Sequence, residues 1–258
     1  MEKYPDYLRC GSYTTKEAFD ALGYPQVIVD NLNAYWCYLG ADGNNLSFLH
    51  YANMIYSYIS GGAAIPTLKS HELSLAFETR IHELGGDIWF NTEVTKILTD
   101  KEGHVCGVRL ADGSEVETRH VVANCSPHVV YGRLLDEKAV PERALKLTNS
   151  RKLAGRGFTA FYAFNKSPEE LGLTDHNYFV YDSSDSVEMY KSMETMHENY
   201  GQATCVLNNA DPNCSPKGTT IMYTTTLFTE DVWKDVKEEE YYKVKNEIAN
   251  GLIERFEN

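Results

Sequence analysis

The chain is 258 residues long, with 24 basic and 37 acidic side chains, a formal net charge of −13, and 43% hydrophobic residues. That balance excludes a protein that displaces counterions from nucleic acid, which needs a basic footprint, while the length suffices for one or two domains without a metal or disulfide staple. No apolar run approaches the ~20 residues that span a bilayer, and the opening MEKYPDYLRC lacks the apolar core of a secretory leader.

The first 84 residues read mainly as helix. Thr14-x-x-Glu17 is a capping box ahead of Ala18, Leu22 and Gly23. Pro25 suits a first helical turn, and the run from Val27 to Leu39 closes at Gly40. A third helix is predicted from Ser47 to about Tyr58, rich in Tyr, Met and Phe and broken by Gly61-Gly62. Ser70 caps a fourth, with Leu73, Phe77, Ile81 and Leu84 at helical spacing and Gly85-Gly86 as its end. From Asp87 the period falls to two. Strands are predicted at Asp87–Asn91, Val94–Thr99, His104–Leu110 and Ser114–Thr118. Lys101-Glu102-Gly103 and Ala111-Asp112-Gly113 separate the last three, and Asp-Gly between alternating runs favours a hairpin. His120–Asn124 contains Val-Val-Ala and is expected to be a strand buried on both faces. Asp136–Lys152 reads as a charged helical stretch. Further strands are predicted at Phe158–Asn165, Asn177–Tyr181, Ala203–Asn209 and Thr219–Phe228. A closing helix from about Glu238 places Tyr241, Val244, Ile248, Leu252 and Phe256 on one face.

Several motif matches fail on physical grounds. Gly155-Arg156-Gly157-Phe158-Thr159-Ala160 has the letters of a dinucleotide fingerprint, but a strand pattern follows instead of the helix whose first amides would meet a pyrophosphate. There is no Walker loop, no nucleophile elbow and no HxxxH pair, so no metal is expected. His71 and His82 lie eleven residues apart on one predicted helix and read as structural or surface groups. Six scattered cysteines (Cys10, Cys37, Cys106, Cys125, Cys205, Cys214) form no CxxC pair and read as reduced thiols of a cytoplasmic protein. The sequons at Asn45, Asn124 and Asn213 then have no role.

One ordered set of segments carries a family signal. It comprises Tyr58-Ile-Ser-Gly-Gly-Ala-Ala-Ile-Pro66, the helix after Ser70, Gly85-Gly86-Asp87-Ile88, Asn91-Thr92-Glu93-Val94-Thr95-Lys96-Ile97, Gly107–Gly113, Val121–Pro127, and the turn Asp211-Pro212-Asn213-Cys214-Ser215-Pro216-Lys217-Gly218. This order, from about residue 20 onward, resembles the phytoene desaturase, carotenoid isomerase and retinol saturase group of FAD-dependent oxidoreductases, within the amine-oxidase-like flavoproteins. The resemblance implies an α/β fold with α+β character: part of a flavin-binding Rossmann-type domain carrying a small antiparallel sheet, and a substrate domain with a mixed sheet and flanking helices. It implies residues 1–69 as the helical part of the substrate domain, 70–135 as part of the FAD domain, and 136–258 as the substrate sheet and helix.

The resemblance also assigns sites. Glu93 and Val94 would lie against the adenine of FAD, Asn124, Ser126 and Pro127 at a carboxyl end of the parallel sheet, and Gly61 and Gly62 in a loop that approaches the flavin ring or the substrate. Thr67-Leu68-Lys69 replaces a further glycine pair usual in the group, leaving the role of Lys69 open. Tyr58, Phe161, Tyr162 and Phe179 are candidate substrate residues, and Phe158, Phe164, Tyr178 and Tyr181 add to an aromatic set able to line a lipophilic tunnel. No catalytic acid or base is identified. The family's opening strand with G-x-G-x-x-G and its closing Gly-Asp segment have no counterpart, so an internal piece of a longer flavoenzyme is expected, inactive alone and free of flavin. The substrate is expected to be an apolar small molecule such as a polyene, with peripheral membrane contact by the intact protein. An amine-oxidizing flavoenzyme and a non-catalytic binding module are the alternatives.

Overall fold

The structure, a computed structural model, describes residues 5–67, 69–151, 155–197, 199 and 201–257. Met1, Leu68, Lys152 and Asn258 lie outside the described residues. Two compact units form: Met1–Ser74 with Ala154–Asn258, and Leu75–Leu153.

Among the described residues, the first unit opens with helices α1 (Pro5–Cys10), α2 (Thr15–Leu22), α3 (Gln26–Asn33) and α4 (Phe48–Gly61). The capping box starts α2: the Glu17 N–H donates to Thr14 Oγ1 at 3.2 Å, and the Thr14 N–H donates to the Glu17 carboxylate at 2.8 Å. Thr14→Ala is expected to cost about 1 kcal/mol, seen as a lower urea midpoint at unchanged slope. The run predicted as one helix to Leu39 instead breaks after Asn33, and a 3₁₀ turn at Trp36–Tyr38 follows. The break lets Trp36 enter the core at 3% exposure. The freed end of α3 is held by Tyr51 on α4, whose hydroxyl donates to the Leu32 carbonyl at 2.6 Å. Burial pushes that phenol up to about 12. Gly62 closes α4 at φ 69° and ψ −176°, a region essentially confined to glycine. Helix α5 (Ser70–Glu83) buries no residue, and its apolar stripe Leu73, Phe77 and Ile81 is exposed.

The second unit is built on strands β1 (Val94–Thr99), β2 (Val105–Leu110) and β3 (Glu115–Glu117), antiparallel in that order. Both turns close as their sequences require, with Gly103 at φ 85° and Gly113 at φ 87°. The unit also contains α5 from Leu75 onward, helices α6 (Pro127–Val129) and α7 (Glu142–Asn149), and short helical turns at Val130–Leu134 and Glu137–Ala139. Two predicted strands are absent. At Asp87–Asn91 the Asp87 carboxylate accepts from the Ile88 N–H at 2.9 Å and the Trp89 indole at 2.8 Å; this local bonding competes with extension. Residues 120–124 are irregular, and Val122 is 98% exposed rather than buried. A strand needs a ladder partner for its amides, and no described strand of this unit lies beside this segment.

The first unit resumes with β4 (Arg156–Phe164), β5 (Asn177–Tyr181), α8 (Ser186–Ser192), β6 (Gly201–Val206), α9 (Leu207–Ala210), β7 (Thr220–Phe228) and α10 (Tyr241–Glu257). The sheet order is β4-β7-β6-β5, and all pairings are antiparallel, where a mixed sheet was expected. The strand predicted to Asn209 ends at Val206, because the Asn209 amide turns to the Leu173 and Asp175 carbonyls at 3.1 and 2.7 Å. Strand alternation divides the sheet into two faces. One carries Phe158, Tyr162, Met222 and Phe228 and packs on Ile248 and Leu252 of α10. The other carries Tyr181 and Leu227 and packs on the helical layer around Phe19, Trp36, Leu46, Tyr51, Met189 and Met193.

Candidate functional site

The helical layer does not cover its sheet face completely. A cavity of about 560 Å³ remains between them, entirely within the first unit. Its floor is Asn177, Phe179 and Tyr181 of β5, Ala203 and Cys205 of β6, and Tyr223, Thr225 and Leu227 of β7. Its walls are Trp36, Cys37, Tyr38, Met189 and Met193, with Ala63, Ala64 and Ile65 from the loop that follows the glycine pair. No Asp, Glu, Lys or Arg lines it among the described residues.

Most polar atoms on these walls are spent on the protein itself. The Tyr181 hydroxyl donates to the Ala34 carbonyl at 2.8 Å, so the Cys37 thiol 3.5 Å away is the donor to the Tyr181 oxygen. Thr225 shares a hydrogen bond with Thr159 at 2.8 Å. Asn199 donates to the Leu227 carbonyl and accepts from the Gly201 N–H. Burial pushes the Tyr38 and Tyr181 phenols upward, and the Cys37 and Cys205 thiols with them. The Tyr223 phenol rises to about 12 through burial and then its bond with Cys205. These groups therefore stay uncharged at neutral pH, and the cavity is an apolar chamber with few free hydrogen-bonding groups.

The structure brings some of the predicted residues together. The Tyr58 ring lies 5.9 Å from Tyr35 and 5.9 Å from Tyr38, and Tyr38 in turn lies 5.9 Å from Phe179 on the cavity floor. Gly61 and Gly62 end α4 immediately before the wall residues Ala63–Ile65. Phe161 shares the cavity face of the sheet but sits on edge strand β4, 76% exposed, 6.0 Å from the Tyr223 ring. Tyr162 points the other way and donates to the Ala249 carbonyl of α10 at 2.8 Å. Phe158 and Tyr178 share that opposite face, against Trp233 and Phe256. Gly155–Ala160 lies in and before β4, as its strand pattern requires. Lys69, at φ 83°, donates from its ammonium to the Cys214 carbonyl at 3.1 Å. Sequence reasoning missed Trp36, Met189 and Met193; only the spacing of the two methionines, four apart around α8, signalled a shared helix face.

The remaining candidates lie in the second unit. The Glu93 carboxylate meets Arg133 at 3.4 Å, both well exposed, while its carbonyl accepts from the Ala111 N–H at 2.9 Å. Val94 opens β1 opposite Leu110. Asn124 is exposed in an irregular segment, and Ser126 caps α6 by accepting from the His128 N–H at 3.3 Å, with Pro127 in the first turn. These residues suit FAD only in part. Glu93 is exposed and Val94 half-buried at a sheet end, and a Cβ built at Gly61 or Gly62 would meet nothing within 4 Å, leaving room for close approach of a flat ring. A pyrophosphate cradle is a different matter: no glycine-rich turn from a strand into a helix occurs among the described residues. Nor is there a metal-binding cluster among them, and no described helix is long and apolar enough to cross a membrane.

Comparison with known proteins places this arrangement. The profile described as flavin containing amine oxidoreductase matches residues 25–249. A chloroplastic prolycopene isomerase from Daucus carota is 24% identical over 176 residues, which is 67% of this chain and 27% of that protein. A neurosporene-forming phytoene desaturase from Rhodobacter capsulatus is 42% identical over 55 residues, 21% of this chain and 10% of that protein. An inactive all-trans-retinol 13,14-reductase from Danio rerio is 24% identical over 225 residues, 80% of this chain and 36% of that protein. Among solved structures, an oxidoreductase from Methanosarcina mazei superposes with a TM-score of 0.62 at 16% identity, covering 93% of this chain and 51% of its own. The chain thus spans about a third or less of these curated relatives and about half of that neighbour.

Proposed function

Since the chain belongs to the flavin containing amine oxidoreductase family, we propose that it supplies the substrate chamber, and part of the flavin-binding region, of an FAD-dependent oxidoreductase acting on an apolar, polyene-like molecule. The observation that carries this reading is the cavity of about 560 Å³ with no charged wall. Its size is ordinary for a small-molecule site, and its uncharged walls suit a hydrocarbon chain. The carotenoid and retinol names borne by its relatives agree with that chemistry. FAD, when bound to such an enzyme, accepts or returns a hydride. What this chain's own residues do is bind, orient and exclude water. Met189, Met193 and Trp36 supply deformable and flat apolar surface. Ala63–Ile65 bring the loop after the glycine pair to the same wall. An amine substrate is less well served, because no carboxylate faces the cavity to hold an ammonium group.

Diphenylhexatriene, an uncharged rod that fluoresces when removed from water, tests the reading. The 258-residue chain is expected to bind it saturably at one site. Emission no greater than that with a folded control protein lacking such a cavity would refute the apolar chamber.

A further inference from the structure

Lys69 sits where its backbone is strained. Its φ of 83° lies in the left-handed region, which glycine enters freely and a residue with a Cβ enters at a cost. Such a conformation persists only where its surroundings over-determine it. Here the side chain supplies the compensation. The residue is exposed, and an exposed lysine ordinarily leaves its ammonium in water, yet the Lys69 ammonium donates to the Cys214 carbonyl at 3.1 Å. A hydrogen bond with an ionised donor is among the stronger ones.

The two partners belong to two segments of the cavity lining. Ile65, the last of the wall residues Ala63–Ile65, lies four residues before Lys69, and Ala210, which also lines the cavity, lies four before Cys214. The turn after Ala210 is firmly held. The Cys214 N–H donates to the Asp211 carbonyl at 3.1 Å, the Asn208 amide to Ser215 Oγ at 2.7 Å, and the Ile221 N–H of β7 to the Asn208 side-chain oxygen at 2.7 Å. The wall segment is held differently. Residues 63–66 form neither helix nor strand, and Ala63, Ala64 and Ile65 have no polar side chain to anchor them. The Gly62 N–H donates to the Tyr58 carbonyl at 3.1 Å and the Lys69 N–H to the Pro66 carbonyl at 3.0 Å. Both bonds are local, and neither reaches the sheet. The ammonium–carbonyl bond thus joins a segment with local support to a turn fixed on β7.

We infer that Lys69 is a positioning residue for the ligand of this cavity: its bond to the Cys214 carbonyl holds Ala63–Ile65 in place as a wall. Lys69 does not itself line the cavity and acts through the wall. The strain at residue 69 persists because the bond offsets it. This inference rests on the apolar-chamber reading above and adds to it the residue that sets one wall.

Two variants test it. Lys69→Ala removes the bond and keeps the strain, whereas Lys69→Gly removes both. Diphenylhexatriene affinity, measured by fluorescence titration, is expected to fall about threefold to tenfold in both variants, the range of one such hydrogen bond. The urea midpoint without ligand is expected to fall in Lys69→Ala and to return toward the wild-type value in Lys69→Gly. Affinity that follows the midpoint, weakened in Lys69→Ala and restored in Lys69→Gly, overturns the inference, because Lys69 would then act on stability alone. Unchanged affinity in both variants also overturns it and leaves the apolar chamber intact. A Lys69→Gly midpoint no higher than that of Lys69→Ala overturns it as well, since residue 69 would then carry no strain for the bond to offset. Failure of the probe to bind the wild-type chain removes the chamber and the inference together.

Discussion

Phe228→Ala is expected to destabilise the protein by about 3–5 kcal/mol, a large share of the 5–15 kcal/mol typical of a folded domain. Phe228 is 1% exposed and forms a buried cluster with Ile248 and Leu252 of α10; Trp233 crosses its ring edge-on at 5.9 Å. Its removal leaves a ring-sized void between sheet and helix. The neighbours cannot collapse into it, because both are tied by hydrogen bonds across the same interface: Tyr162 to the Ala249 carbonyl and Gln202 to the Leu252 carbonyl. Urea unfolding checks this, with a much lower midpoint at nearly constant slope. Phe161→Ala is the control. It removes the same ring from the same sheet, but Phe161 is 76% exposed, so its effect is expected to stay within about 0.5 kcal/mol.

The second large effect concerns binding. Ala203 sits at the middle of the cavity floor, paired with Phe179 on one side and Thr225 on the other. Ala203→Phe would project a ring into the open volume rather than into packed atoms. Overpacking costs about 1–3 kcal/mol where no space exists; here space exists, so thermal stability is expected to fall little. Diphenylhexatriene affinity is expected to fall by more than about tenfold, since a ligand of that length would have to vacate the middle of its site. A large loss of affinity with retained stability is the predicted pair of results. Unchanged affinity would mean that the probe binds elsewhere.

The local rules were legible where they depended on neighbours in sequence. The Thr14 capping box, the Gly103 and Gly113 turns and the alternation of β7 follow from short-range chemistry, and each forms as expected. The errors fall where a segment's state depends on distant atoms. Val121 and Val122 have the composition of a buried strand, but composition cannot provide a ladder partner, and the segment is irregular and exposed. At Asp87 a single carboxylate bonding to Ile88 and Trp89 outweighed the strand propensity of its neighbours. The aromatic set of the second β region was recognisable as sheet residues, but not as two sets. Only the register shows that Phe161, Phe179 and Tyr181 share the cavity face while Phe158, Tyr162 and Tyr178 face α10. The cavity itself was hardly legible, because Trp36, Met189 and Met193 meet across more than 150 residues of chain.

Methyl NMR of the six methionines offers the most direct test of an apolar chamber at this location. On saturation with diphenylhexatriene, the phenyl rings of the probe are expected to shift the methyl signals of Met189 and Met193, which line the cavity. Met222, 1% exposed among the opposite-face residues, and Met196, packed against the α10 cluster, should keep their positions. Shifts confined to Met189 and Met193 would place an apolar ligand between the sheet and the helical layer. Shifts at Met196 or Met222 with Met189 and Met193 unmoved would contradict the account, because the ligand would then lie on the other side of the sheet.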